Sequence, residues 1–121
     1  MNKKIKEITA ELLDLEAENI SEEDYLVRDL EAESIDLLEI GISLNAEFGI
    51  HVSDSKLFLR DLRLIMKEAE NENKNPEEVL SESYPHLSSE RIKEIIEDLP
   101  NAPVIKIKDV IAYAEYEKEK S

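Results

Sequence analysis

Apolar residues at Ile5, Ile8, Leu12 and Leu15 recur every three or four positions among Lys, Glu and Asp, which predicts an amphipathic helix over about residues 2–16. No sustained period runs through 17–33, where Ile20, Tyr25, Leu26 and Leu30 stand as separate apolar pegs. A loop of this length pegged in this way is expected to be ordered and to carry function. A second helix, from about 34 to 48, has two apolar stripes. At 100° per residue, Leu37, Ile40, Gly41, Leu44 and Phe48 share an inward face. Ile35, Leu38 and Ile42 share another, edged by Asp36 and Glu39. Gly49 falls where a left-handed cap closes the helix.

Residues 53–101 are long enough for several further helices. Ser53 or Asp54 is placed to cap a first one reaching about residue 72, with Phe58, Leu62, Ile65, Met66 and Ala69 on one face and Leu57, Leu59 and Leu64 widening it. Asn75-Pro76-Glu77-Glu78 reads as N-cap, proline at N1 and a capping acid, opening a short helix to about Ser83. Ser88-Ser89 starts another, with Ile92, Ile95, Ile96 and Leu99 in register before Pro100 and Pro103 stop it. From Val104 to about Lys118, Ile107, Val110, Ile111 and Ala114 again share one face, with Tyr113 and Tyr116 near it. An all-α fold is expected, as a single domain over 1–121.

Composition narrows what such a bundle does. Thirty acidic against 15 basic side chains give a formal charge of −15, which opposes nucleic acid and anionic membranes and favours basic protein partners. There is no cysteine, so any thiol chemistry must be imported. No stretch reaches membrane-spanning length and no apolar run follows Lys3 and Lys4, so a cytoplasmic monomer without membrane insertion is the default expectation.

The run Leu30-Glu31-Ala32-Glu33-Ser34-Ile35-Asp36, continued by Glu39-Ile40 and by Glu47-Phe48-Gly49-Ile50, resembles the modification site of acyl carrier proteins. That family's pattern is roughly Leu-Gly-Ala-Asp-Ser-Leu-Asp, two residues, Glu-Leu, then a helix ending in Glu-Phe-Gly-Ile. Glu31 stands for the usual glycine and Glu33 for the usual aspartate, while Asn45 and Ala46 stand where acids are usual. Ile107-Lys108-Asp109-Val110-Ile111-Ala112-Tyr113 resembles the family's closing helix, so the resemblance covers about 1–54 and 103–116. It implies an acyl-carrier-like helical bundle in which 53–101 is a helical insertion between helix two and the C-terminal helix.

The resemblance further implies a role. Ser34 would carry covalent 4'-phosphopantetheine, whose thiol holds acyl groups as thioesters for delivery to fatty acid, lipid or polyketide biosynthetic enzymes. The insertion suggests long or unusual chains, an extra docking surface, or simple embellishment. Glu33, Asp36 and Glu39 would meet basic rims on a phosphopantetheinyl transferase and acyl-transferring enzymes, and Ile35, Leu38 and Ile42 would make the apolar contact. Leu37, Ile40, Gly41, Leu44 and Phe48 would line the acyl pocket. Gly41 then has two explanations: close approach of another helix, or room for an acyl chain. The insertion could instead cover the outer stripe.

No catalyst is expected. His51 and His86 lie in no ligand pattern and read as surface or satisfied loop histidines, and no Gly-x-Ser-x-Gly elbow, glycine-rich phosphate loop or EF-hand spacing occurs. The rival reading is an unmodified carrier-like module that binds proteins without an arm.

Overall fold

The first apolar period folds as α1 (Asn2–Leu13), with Ile5 and Ala10 buried. It ends earlier than the spacing predicts because Asp14 adopts a left-handed conformation and returns its N–H to the Ala10 carbonyl, which leaves Leu15 exposed rather than in the core. This computed structural model describes residues 1–120, so the last residue of the expected 1–121 domain lies outside it. It contains seven α-helices and two 3-10 turns, and among the described residues there is no strand, only an isolated antiparallel bridge between Tyr25 and Lys106.

The pegs of the first loop do hold it. Ile20 and Leu26 are buried. The Tyr25 ring carries the Arg28 guanidinium 3.8 Å from its centroid and Lys106 Nζ at 4.9 Å, and its hydroxyl donates to Asp98 at 2.5 Å. Leu26 N–H donates to the Ile105 carbonyl at 3.0 Å. Helix α2 (Ser34–Phe48) follows within the predicted limits and ends at Gly49, whose φ of 64° is the left-handed cap. Lys118 Nζ donates to the Phe48 carbonyl at 3.0 Å, placing a cation at the negative end of the helix.

The single helix expected from 53 to 72 is two: α3 (Asp54–Leu57) and α4 (Leu62–Asn71). Leu57, Phe58, Leu59 and Leu62 are all buried, and on one continuous helix the first three would span about 200° of its circumference. A turn with Leu59 at φ 54° brings them to the same side, whereas Leu64 is left exposed. Helix α5 (Pro76–Ser83) is capped as predicted, Asn75 Oδ1 accepting from Glu77 N–H at 2.9 Å and Glu78 N–H at 3.4 Å. Helix α6 (Ser89–Asp98) opens on the Ser88 hydroxyl, which accepts from Arg91 N–H. Helix α7 (Ile107–Lys120) begins after an extended stretch.

Helix α1 packs on α2 and α7, α3 bridges α2 and α7, and α4, α5 and α6 stack in sequence. One apolar cluster runs through all of them. The tie between α6 and α7 is ionic: Arg91 Nε and Nη2 donate to the two Asp109 carboxylate oxygens at 2.7 and 2.8 Å, both side chains being buried. Arg91 Nη2 also reaches the Val104 carbonyl at 2.7 Å, and Asp109 accepts from Lys106 N–H at 2.9 Å.

His86 departs from the expected surface or satisfied histidine. Its ring sits edge-on to Tyr113 and Tyr84, with centroids 5.2 and 6.1 Å away, and tilted to Tyr116 at 6.5 Å. Its Nε2 is buried and has no hydrogen-bond partner among the described residues. Burial holds its pKa down to about 4, with Lys56 adding slightly and Asp109 opposing.

Two predictions follow from these contacts. Asp109→Asn strips the buried Arg91 of its bidentate partner, leaving only the half-exposed Glu94 at 3.3 Å, and should lower stability by about 3 kcal/mol, read as the urea midpoint. The unfolded chain protonates His86 below its ordinary value of 6.5, the folded chain only near 4. That contribution is complete above pH 6.5 and is lost as pH falls toward 4. His86→Phe should therefore lose on the order of 2 kcal/mol less than the parent between pH 7 and 4.5; parallel curves would show that the imidazole is not held neutral.

Candidate functional site

The chain enters α2 through a short self-bonded loop. Leu30 N–H donates to the Tyr25 carbonyl at 3.1 Å, Glu31 N–H to Val27 at 3.1 Å and Ala32 N–H to Leu26 at 3.0 Å. Ala32 is buried, which anchors the two residues that follow. Glu31 has φ 56°, a left-handed conformation that a side chain disfavours. Where the resemblance puts glycine, the backbone therefore demands what glycine supplies.

Glu33, not Ser34, is the N-cap residue, with φ −97° and ψ 170°, and Ser34 is the first helical residue. The Asp36 carboxylate reaches back to accept from Glu33 N–H at 2.8 Å, one half of a capping box. Serine ahead of a helix ordinarily spends its hydroxyl on a cap. Here Ser34 is exposed, and its hydroxyl is engaged by no hydrogen bond among the described residues. An exposed, unspent hydroxyl beside the free N–H groups of a helix N-terminus fits a covalent phosphodiester: the oxygen is accessible, and the helix end favours the anion.

The two stripes of α2 separate cleanly. Ile35, Leu38 and Ile42 are 57%, 45% and 61% exposed, so the segment 53–101 does not cover them. Glu33 and Glu39 are exposed beside them, while Asp36 is partly buried and engaged in the cap. On the inward side Ile40, Gly41 and Leu44 are buried and Leu37 and Phe48 are partly buried. A side chain at Gly41 would place its Cβ 3.0 Å from Asp54 Oδ1 and 3.5 Å from Val52 Cγ1. Close approach of the segment that opens α3 accounts for this glycine. It also floors a groove of about 300 Å³ with Leu38, Ile42, Asn45 and His51.

Sequence reasoning missed the capping role of Asp36 and the freedom of the Ser34 hydroxyl; the acid two residues after the serine was the available signal. Among the described residues no group of three or more His, Asp or Glu could hold a metal ion, and no helix is long and apolar enough to cross a membrane.

Residues 3–64, about half of the chain, match the family described as a phosphopantetheine attachment site. The chain is 39% identical over 56 residues to the acyl carrier protein of Buchnera aphidicola subsp. Baizongia pistaciae, spanning 46% of this chain and 72% of that one. It is 37% identical over 54 residues to the acyl carrier protein of Thermotoga maritima, spanning 45% and 67%. It is 37% identical over 51 residues to that of Picosynechococcus sp., spanning 42% and 63%. No solved structure matches the chain.

The left-handed residue before the helix makes a testable claim on stability. Glu31→Gly should raise it by about 0.5–1 kcal/mol in chemical denaturation, relief of the side-chain strain exceeding the added freedom of the unfolded chain. Glu31→Val should lower it.

Proposed function

The chain belongs to the acyl carrier protein family, whose cofactor is covalently attached 4'-phosphopantetheine, and from that premise we propose that Ser34 bears the arm. The observation that carries this is the start of α2, where Glu33 holds the cap position, Asp36 accepts its N–H, and Ser34 is left exposed and unspent. When bound, the arm supplies a terminal thiol that holds an acyl group as a thioester.

The protein's own residues then do three things. Ser34 fixes the phosphodiester at a positive helix end, which offsets the repulsion between that anion and the neighbouring acids. Ile35, Leu38 and Ile42, fringed by Glu33, Asp36 and Glu39, offer basic-rimmed enzymes a small apolar contact with an acidic border. Weak contact of this kind suits a carrier that must leave as readily as it arrives, since complementary charge raises the rate of arrival more than the affinity. Leu37, Ile40, Gly41, Leu44 and Phe48 form the wall behind Ser34 against which an acyl chain would shelter. On this reading the protein is a cytoplasmic monomer and not a catalyst, serving a phosphopantetheinyl transferase and then enzymes of fatty acid, lipid or polyketide synthesis. The segment 53–101 is the feature that specialises it.

Intact mass after incubation with coenzyme A and a broad-specificity phosphopantetheinyl transferase tests this. One added arm is expected on the parent and none on Ser34→Ala. No addition with several transferases would favour an unmodified interaction module that uses the same exposed stripe.

A further inference from the structure

Residues 56–67 run against the charge of the whole chain. They hold Lys56, Arg60, Arg63 and Lys67 against the single acid Asp61, in a protein of net charge −15. Among the described residues none of these four cations makes an ion pair, although carboxylates outnumber cations two to one in the chain. Arg60 and Arg63 stand at a groove of about 360 Å³ where the turn between α3 and α4 meets the stretch leading into α7. Its walls are apolar, made mainly by Phe58, Leu62, Leu99, Val104 and Ile105. Asp98, which precedes Leu99 of that lining, is already taken by Arg28 at 2.8 Å and by the Tyr25 hydroxyl. Arg60 lies 6.0 Å from the Phe58 ring centroid, and neither guanidinium at the groove has a carboxylate partner among the described residues, which leaves both for an anion from outside.

The groove is also within reach of the attachment residue. Ser34 is two residues from Ala32, Ala32 N–H donates to Leu26, and Leu26 N–H donates to Ile105 in the groove wall. Two residues and two backbone pairings place the wall at most about 20 Å from Ser34.

We propose that this groove seats the far end of an acyl group carried on the protein's own arm, and that it selects acyl groups ending in a carboxylate. The methylenes lie against the apolar walls and the terminal carboxylate is met by Arg60 and Arg63, whose planar donors suit it. This rests on the carrier reading and names the class of cargo.

The test has two arms. The unmodified chain is titrated with octanoate and with 1-octanol while backbone amide shifts are followed. Octanoate should move Leu62, Leu99, Val104 and Ile105 and bind at least about fivefold more tightly than octanol, the gain of one charge-assisted contact. Arg60→Gln/Arg63→Gln, at two exposed positions, should abolish that preference with the unfolding transition unchanged. In the second arm the chain is loaded with octanoyl or with ω-carboxyoctanoyl pantetheine, loading being confirmed by mass. Only the carboxylated chain should shift the same amides. Equal binding of octanoate and octanol, or shifts confined to α2, overturns the proposal. Failure to load Ser34 is a failure of the carrier reading and is seen in the mass alone, while the titration still reads the groove.

Discussion

The buried ion pair between Arg91 and Asp109 is the contact on which the arrangement of this molecule depends. Two charges withdrawn from water cost several kcal/mol, which their attraction offsets only when geometry is good and the remaining donors and acceptors are satisfied. Both conditions hold: the contact is bidentate, the Val104 carbonyl takes a further guanidinium proton, and Lys106 N–H takes the carboxylate. Such a pair adds little net stability over an apolar one, but a slipped α6 would strand a bare charge in the core. It therefore fixes where the extra helices sit. The consequence travels, because Asp109 also starts α7, and α7 carries Tyr113, whose hydroxyl accepts from Ser53 N–H at 2.8 Å. Ser53 precedes α3, and Asp54 occupies the space that Gly41 leaves on α2. A single chain of contacts leads from the added helices to the carrier helix.

The same local device opens both helices that matter most. Asp36 at the third position of α2 and Asp109 at the third position of α7 each accept the N–H of the residue before the helix. In α7 that carboxylate also faces a buried cation, so the device is structural. In α2 it is partly buried and ties down Glu33, which holds the cap position in place of Ser34. The helix can then begin one residue before it would if the serine were the cap, which turns the hydroxyl outward on a rigid element. A hydroxyl fixed in this way can be reached without ordering the surrounding backbone at each encounter.

Legibility followed the range of the interactions. The limits of α2 and α5 could be read because their causes lie within four residues: Gly49 at one end, Asn75-Pro76 at another. The break between α3 and α4 could not, because Leu57, Phe58, Leu59 and Leu62 fit a helical period acceptably and only the demand that all four be buried together breaks it. Asp14 ended α1 early for a similar reason, no glycine marking the left-handed residue. The Arg91–Asp109 pair spans 18 residues in a chain that is 37% charged, where any cation has many candidate partners and the sequence favours none. The histidine among three tyrosines is brought together by packing alone. At the candidate site the exposure of the Ile35, Leu38 and Ile42 stripe was readable from its period, whereas the placing of Glu33 rather than Ser34 at the cap needed coordinates.

The placement of the added helices bears on what they are for. Had they evolved as a lid over the outer stripe of α2, the cheapest route would bury Ile35, Leu38 and Ile42, which together leave a substantial apolar area in water. They do not: all three remain about half exposed or more, and α4 to α6 stack on one another and onto α7 through Arg91. The segment therefore leaves that stripe free, and Arg60 and Arg63 of the basic strip, which lies largely within the matched residues 3–64, line a different groove. Opposite charges on separate faces allow two contacts at once, one with a basic partner and one with an anion, without either competing for the other's groups.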